Sequence, residues 1–425
     1  MQVDQVPKVY KDRKKRVRYE MGVKRYKQSG ICKKDAVIYA FVKAERYVFN
    51  PEKRRNDPRV IQFRTPQYVV ALAQYLRPYE HMLYPIFGLG MLGPLRSIGK
   101  GLNLRQRGQL IHEKWQMFQS PKAIGIDASR FDKHVSREML QIEHCMYKMA
   151  YKSAELNKLL DLQLNNHCRT LSRGQEISLK YVTRGRRMSG DVNTGLGNSL
   201  ITMLIVFHSL QGFKFQTMID GDDAVIITER RDSAAVKARI LECYGKAGMD
   251  LRVDWETTIF ERINWCQTNP VRVGGQYIMI RSPAKALRLL TSGTKYLNEK
   301  ISRRLFATIG MGEGSLSIGV PILQSYAACL RRSARGATPL DANSDESMFY
   351  RYLGLPNTDQ LEIEIDSGAR CSFALAFDIT ISQQLAIESY FSNLLVYMGE
   401  IETVGYCGPD DLPQRGPRCH YPIGF

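Results

Sequence analysis

The chain has 425 residues, 44% of them hydrophobic and 24% charged, a balance that supports a large buried core and excludes a disordered polymer. Its formal net charge of +19 and pI near 9.5 call for a polyanionic partner, nucleic acid before an anionic membrane surface. The nine scattered cysteines contain no C-x-x-C pair, which excludes a zinc ribbon, a thioredoxin-like site and a disulfide scaffold, and suits a reducing compartment.

In chain order, the first 34 residues are dense in Lys and Arg, including Lys11, Arg13, Lys14, Lys15, Arg16 and Arg18. Such a run reads as a solvated arm. Val37 to Lys43 and Arg59 to Phe63 read as strands around a basic loop, Asn50 to Pro58. Gln67 to Met82 has helical apolar spacing, and Pro85 to Gly101 is Gly/Pro-rich loop. Gly99-Lys100-Gly101 fails as a P-loop, because Pro94 stands where the first glycine is needed and no Ser or Thr follows the lysine. Ala123 to Asp127 is a short apolar strand. Glu138 to Leu164 reads as one helix, Leu196 to Leu210 as a second, Phe215 to Ile227 as a hairpin and Ala234 to Ala247 as a helix. Trp265 to Ile280 holds further strands. Beyond Ala284 the pattern is helical up to a Pro/Gly-rich tail from Gly408. The expected class is α+β, with helices among a few central antiparallel strands. No apolar leader follows the basic N-terminus, and Leu196 to Leu210 is shorter than the ~20 residues that span a bilayer. The expectation is a soluble protein whose membrane association comes from a partner.

Three sites carry chemistry. Asp220-Gly-Asp222-Asp223 joins two apolar β-prone runs, a strong hairpin signal. Successive side chains of extended chain point to opposite faces, so Asp222 and Asp223 should not be equal ligands of one ion. Asp127 ends an apolar strand within Gly125-Ile-Asp127-Ala-Ser-Arg-Phe-Asp132, and a carboxylate there needs a cation or hydrogen-bond donors. If this strand lies beside the hairpin, Asp127 faces Asp222. Clustered carboxylates repel unless neutralised. Mg²⁺ suits such an all-oxygen site, and two ions about 4 Å apart would clamp an in-line displacement. In Ser189-Gly-Asp-Val-Asn-Thr194-Gly-Leu-Gly-Asn198 a Ser-Gly loop precedes a helix with Thr194 and Asn198 one turn apart on one face. A capped helix start explains the first residues but not an amide and a hydroxyl stacked on an apolar helix. A fourth feature is the basic run Lys43, Arg46, Lys53, Arg54, Arg55, Arg59 and Arg64, which can grip a triphosphate or simply be solvated.

These motifs in this order resemble the right-hand polymerases of positive-strand RNA viruses, and more closely those of the Tombusviridae with the related luteovirus and umbravirus enzymes. The specific strings are Pro58-Arg-Val-Ile-Gln62, Lys100-Gly-Leu-Asn103, Asp127-Ala-Ser-Arg-Phe-Asp-Lys-His-Val-Ser136, Arg187-Met-Ser-Gly-Asp191 and Cys266-Gln-Thr-Asn-Pro270, with Gly319-Val-Pro-Ile-Leu-Gln324 further on. The resemblance implies an α+β right hand with an antiparallel palm sheet. Fingers would occupy residues 1–118 and 141–182, palm 119–140 and 183–280, and thumb with tail 281–425. It implies RNA-directed RNA synthesis from ribonucleoside triphosphates on single-stranded viral RNA, with two Mg²⁺ ions per site (Mn²⁺ able to substitute). Asp127 and Asp222 would bind the metals, with Asp223 a weaker contributor. Asp132 and Asn198, supported by Thr194, would read the ribose 2′-hydroxyl. Ser189 and Gly190 would form a mobile loop beside the template and nascent pair. Lys43, Arg59 and Arg64 would hold the triphosphate, and Cys266 and Gln267 would lie in the primer-grip hairpin. The nearest lysine for a general acid is Lys246. The family's polymerases usually follow a membrane-anchoring replication protein in one read-through product, so a separate or upstream anchor in the host cytoplasm, at membrane-associated replication complexes, is the expected partner.

Two other readings compete. A reverse transcriptase shares the metal-binding pattern, but Gly221 and Asp132 stand where it would carry an aromatic and a bulky sugar gate. A basic RNA-packaging protein without chemistry explains the charge but not the carboxylates.

Overall fold

The computed structural model describes residues 1–10, 12–43, 59–90, 92–170, 180–290, 298–340 and 361–397. The Asn50 to Pro58 loop, with Lys53, Arg54 and Arg55, and the tail from Gly408 lie outside the described residues, as does Arg46. The chain divides into two compact units. One comprises Met1–Ser282 with Leu375–Asp378, the other Pro283–Ala374 with the chain from Ile379.

The first unit holds two four-stranded sheets. One runs β2 (Val60–Phe63), β1 (Ile38–Val42), β4 (Asn165–Thr170), β5 (Lys180–Arg184), with β1 and β4 parallel and the other pairs antiparallel. The other is antiparallel throughout, in the order β6 (Phe215–Asp220), β7 (Asp223–Glu229), β3 (Pro121–Ala128), β8 (Leu251–Thr257). A separate hairpin is formed by β9 (Thr268–Val273) and β10 (Gln276–Arg281).

The second sheet is covered on both faces, which is why β3 reads as an unbroken apolar run. Alternation sorts its residues. Ile124, Ile126, Ile219, Ala224 and Ile226 join one core cluster with Leu72 and Leu76 of α2 (Pro66–Ile86), Leu140 of α5 (Arg137–Ala150), Leu200 of α7 (Thr194–Ser209) and Ile240 of α8 (Ser233–Lys246). Ala123, Met218, Val225 and Ile227 join another with Ile111 of α3 (Leu104–Trp115), Trp265 and Met279. Gly125 has no side chain because the Trp255 ring lies where a Cβ would go.

Several expectations change. The basic N-terminal run is not a loose arm: Arg13–Ser29 is a helix, α1, capped by Asp12, which accepts from Lys14 N at 2.7 Å. Val23 of α1 joins Val6, Val70 and Ala73 in a small core, and Gly22 lets the helix close on the Pro66 carbonyl, 2.7 Å from where a Cβ would stand. The inward stripe is narrow and flanked by cations, so the sequence shows mainly the charge. Beyond the short α4 (Phe131–His134), the single helix expected over Glu138 to Leu164 is two, α5 and α6 (Ala154–Asp161), because Ser153 caps the second by accepting from Leu156 N at 3.3 Å. α2 continues to Ile86 through Pro78 and Pro85. In the expected loop after it, Gly99 N donates to Ile219 O and Ile219 N to Ser97 O, both at 2.8 Å, so this segment extends the sheet beside β6.

The second unit is helical among its described residues. After α9 (Pro283–Leu290), α10 (Glu299–Leu316) packs on α11 (Leu323–Ser333) at Gly310, where a Cβ would stand 2.9 Å from Arg331 N. The helices Ser367–Phe377 and Ile381–Asn393 are joined by the Arg370–Glu388 ion pair at 2.9 Å.

One buried group of the first unit gives stability a pH dependence. Lys114 of α3 is fully buried and donates to Gln216 Oε1 at 2.6 Å. Burial lowers its pKa to about 7, against about 10.4 unfolded. Between those values the unfolded chain holds the extra proton, so stability rises with pH across that window and is flat below it. From pH 7 to 9 the wild type should gain about 2 to 3 kcal/mol relative to Lys114→Met. Urea unfolding of both proteins at several pH values measures this, and parallel curves would contradict it.

Candidate active site

The hairpin is the centre of the site. β6 and β7 pair Asp220 with Asp223, leaving Gly221-Asp222 as a two-residue turn. Gly221 has φ +77°, a conformation that suits glycine at the first turn position. α7 then grips the turn. Gly221 N donates to Ser199 Oγ at 3.0 Å, and Thr202 Oγ1 donates to Gly221 O at 2.9 Å. The hydroxyls of an otherwise apolar helix thus satisfy both backbone groups of one glycine, which fixes where Asp222 projects.

The ladder from β7 to β3 pairs Ala224 with Ile126 and so runs Asp223 alongside Asp127. A bulge between Gly125 and Ile126 lies in the ladder to β8, of the kind that re-aims side chains. Burial, then Asp222 and Asp254, raise the pKa of Asp127, against a lowering by Arg252. Burial raises Asp222, with Asp132 adding to it and Lys100 and Arg59 opposing. Asp223 is open to solvent on one side, yet desolvation by the surrounding chain, then Asp222, Asp127 and Asp220, raise it to about 6. Asp220 behaves oppositely. Burial works against its charge, but Lys100 and Arg107 outweigh it and hold the carboxyl low. Arg107 reaches it at 2.5 Å and Lys100 is bonded to its other oxygen.

The ribose-reading candidates also meet. Asn198 Nδ2 donates to Asp132 Oδ1 at 2.8 Å, and burial raises the Asp132 pKa while Asn198, Arg187 and Arg59 lower it. Thr194 is differently engaged, its hydroxyl donating to Met188 O at 2.9 Å. The Ser189-Gly190 loop is hydrogen-bonded to β2. Gly190 N donates to Gln62 O at 2.7 Å and Gln62 N to Ser189 Oγ at 3.2 Å. A Cβ on Gly190 would stand 2.8 Å from Phe63 Cβ.

Of the basic residues, Arg59 acts electrostatically on Asp132 and Asp222. Lys43 is exposed at the end of β1, its N–H donating to Arg59 O at 2.8 Å. Arg64 corrects the expectation that it grips a triphosphate. It is 1% exposed and donates to both Asp191 oxygens, at 2.7 and 3.2 Å, to Asn166 Oδ1 at 2.5 Å and to Ala36 O at 2.7 Å. Its donors are spent inside the fold, where it anchors the loop that carries Ser189. Lys246 is also displaced from the role considered for it. It pairs with Glu242 at 2.6 Å on α8 and borders a hollow lined by Ile201, Leu204 and Ile205.

Cys266 and Gln267 form the turn of a second hairpin, closed by Trp265 N to Thr268 O at 2.9 Å and Thr268 N to Trp265 O at 3.0 Å. Both have positive φ, 50° and 62°, unusual for residues with side chains and a mark of strain held by its surroundings. They line a polar recess with Asp127, Asp223, Asp254 and Asn264, where the Cys266 thiol acts to lower the Asp223 pKa against the causes that raise it. Burial, then Asp220 and Asp223, keep that thiol protonated by raising its pKa.

Among the described residues no group of three or more His, Cys, Asp or Glu side chains is gathered tightly enough to hold a metal ion. The oxygen donors nevertheless fit a hard divalent cation in kind. The raised pKa values of Asp127, Asp222 and Asp223 mark carboxylates that lack a sufficient counter-charge.

A family model described as viral RNA dependent RNA polymerase matches residues 1–398. The chain belongs to this family. It is 34% identical over 412 residues to the RNA-directed RNA polymerase of Turnip crinkle virus, covering 95% of this chain and 52% of that protein. For the RNA-directed RNA polymerase of Melon necrotic spot virus the figures are 35%, 95% and 50%, and for that of Panicum mosaic virus 33%, 94% and 40%. The chain thus spans about half the length of the first two curated relatives and 40% of the third. The expected kinship with the Tombusviridae-like viral polymerases is shown, and with it the α+β architecture of sheets flanked by helices.

Sequence reasoning assigned no role to five residues of this site. Ser199 and Thr202 were visible as polar residues in an apolar helix, a usable signal. Arg107 lies far from Asp220 in sequence and gave none, and Lys100 was legible only as part of the Lys100-Gly-Leu-Asn103 string. Asp254 sits on an alternating strand that was not recognised. Removing the two hydroxyls should strand the Gly221 peptide. Each of Ser199→Ala and Thr202→Val should cost about 1 to 3 kcal/mol, the penalty for a buried polar group left unpaired. The double variant should cost less than their sum, because both act on one residue. Urea unfolding checks this, and fully additive or negligible losses would contradict it.

Proposed function

We propose that this chain carries out template-directed RNA synthesis, transferring nucleotidyl groups from ribonucleoside triphosphates to an RNA 3′ end during replication of a positive-strand RNA virus. The observation that carries the reading is electrostatic continuity at Asp222. It acts on Asp127 on one side, and Asp132, bonded to Asn198, acts on it from the other. Carboxylates suited to a divalent ion therefore adjoin a pair suited to a ribose hydroxyl.

In this reading the terminal 3′-oxygen attacks the α-phosphorus, the bond to the bridging oxygen breaks, and pyrophosphate leaves with the electron pair. Asp127 and Asp222, with Asp223 a lesser contributor, would hold two Mg²⁺ ions (or Mn²⁺), which supply charge neutralisation at the attacking and leaving oxygens. Asp132 and Asn198 orient the ribose. Thr194 supports them indirectly, through its bond to the Met188 carbonyl. Arg59, with its fork of donors, and Lys43, as a point charge, meet the triphosphate. Ser189 and Gly190, backed by β2, border the nascent pair, and the Cys266-Gln267 turn supports the product 3′ end. The Lys100–Asp220–Arg107 cluster holds the base of the hairpin.

The proposed division is palm over 119–140 and 183–280, fingers over 1–118 and 141–182, and thumb from 281. Single-stranded viral RNA is the proposed template. Among the described residues no helix is long and apolar enough to cross a membrane. The proposed setting is the host cytoplasm at membrane-associated replication complexes, with a separate or upstream viral protein as the anchor.

Primer extension on defined single-stranded RNA tests the reading. Asp127→Ala and Asp222→Ala should each abolish extension while RNA binding persists, because each removes a metal ligand rather than a phosphate contact. Asp223→Asn should retain measurable activity. Substantial Mg²⁺-supported synthesis by Asp222→Ala would refute the assignment.

A further inference from the structure

Behind the Asp132–Asn198 pair lies a buried ion pair that the proposed chemistry does not use. Arg187 and Glu143 are 2% and 0% exposed and are bonded to each other. Burial works against the Glu143 charge, but Arg187 outweighs it and holds the carboxyl below its usual range. Glu143 Oε1 also accepts from Tyr147 Oη at 2.7 Å and Asn193 Nδ2 at 2.8 Å. Gly197 makes room for the pair, since a Cβ there would collide with both side chains. A buried ion pair of this kind is weak evidence of net stability, because desolvation offsets most of the attraction. Its geometric effect is definite. Arg187 Nε donates to Asn198 Oδ1 at 3.0 Å, and the Arg187 backbone N–H donates to Asp132 O at 3.0 Å.

We infer that Arg187, braced by Glu143, is a specificity-determining positioning residue that fixes the Asn198 amide so that Asn198 and Asp132 together read a 2′-hydroxyl. The inference rests on the proposed polymerase reading. A guanidinium only donates and a carboxylate only accepts. Asn198 lies between the two, so its oxygen must face Arg187 and its nitrogen Asp132. One Asn198 N–H then remains for the hydroxyl oxygen, and Asp132 retains lone pairs for the hydroxyl proton. A 2′-hydroxyl both accepts and donates, and matches this arrangement. Rotating the amide by half a turn would set oxygen against oxygen and remove the donor. Without Arg187 only the Asp132 carboxylate is left to select between the two states.

Two neutral double variants isolate the donor. In Glu143→Gln/Arg187→Gln the new amide nitrogen takes the place of Nε and can still donate to Asn198. In Glu143→Gln/Arg187→Met the same place holds no donor. Both keep an oxygen for Tyr147 and Asn193 and are of similar size. The readout is kcat/KM for a matched ribo- and deoxynucleotide on one primed RNA, with melting temperatures as a check of folding. If the Met variant does not fold, Arg187→Leu in the same Glu143→Gln background replaces it. The Met variant should lose about tenfold of the ribonucleotide preference, the scale of one orienting hydrogen bond, while the Gln variant stays within about threefold of wild type. Equal preferences in the Gln and Met variants would overturn the inference. If Asn198→Ala collapses the preference while the Met variant keeps it, the ribose reading stands and this inference alone falls. A wild type with no ribonucleotide preference removes both.

Discussion

Mutual repulsion of partly buried carboxylates is the constraint around which the first unit is organised. Asp127, Asp132, Asp222 and Asp223 form a chain of electrostatic neighbours, each raised in pKa by desolvation and by at least one other acid. Such a group does not assemble by its own attraction. It is held by interactions behind it: a sheet apolar on both faces, an α7 that bonds both backbone groups of Gly221, and ladders that run Asp127 beside Asp223. The stability of those layers is what allows the strain at their edge.

Around the unbalanced acids stands a shell of balanced ones. Asp220 is held ionised by Lys100 and Arg107, Glu143 by Arg187, and Asp191 is paired with Arg64. The contrast separates two uses of charge. Paired acids fix the hairpin base, the Asn198 amide and the Ser189 loop. Unpaired acids remain available to a cation. It also explains why Arg64 looked like a substrate ligand in sequence. It belongs to a basic run, but its guanidinium faces inward to the loop it anchors.

What could be read from sequence was what is local and periodic. The hairpin across Gly221-Asp222, the strand ending at Asp127 and the apolar helix carrying Asn198 each have a signature within ten residues. The helix of residues 13–29 was hidden because its packing stripe, around Gly22 and Val23, is narrow and its remaining surface is cationic. β4, β5 and β8 were missed because they alternate with polar residues and resemble exposed chain. Arg107, Glu143 and Asp254 join the site only through tertiary contact, so no spacing rule could have found them. Asp223, read as a weaker contributor than Asp222, adjoins Asp127 in the recess lined by Cys266 and Gln267.

The central claim is that the carboxylates are kept together against their own repulsion for the sake of a divalent cation. The direct measurement is thermal melting of the wild type and Asp223→Asn at pH 7.5, in chelator and in Mg²⁺. That pH is above the value of about 6 at Asp223, so the wild-type group is ionised. In chelator the variant should melt higher than the wild type, because one repelling charge is gone. Mg²⁺ should raise the wild type more than the variant. A variant that melts lower in chelator, with a Mg²⁺ shift equal to that of the wild type, would contradict the claim.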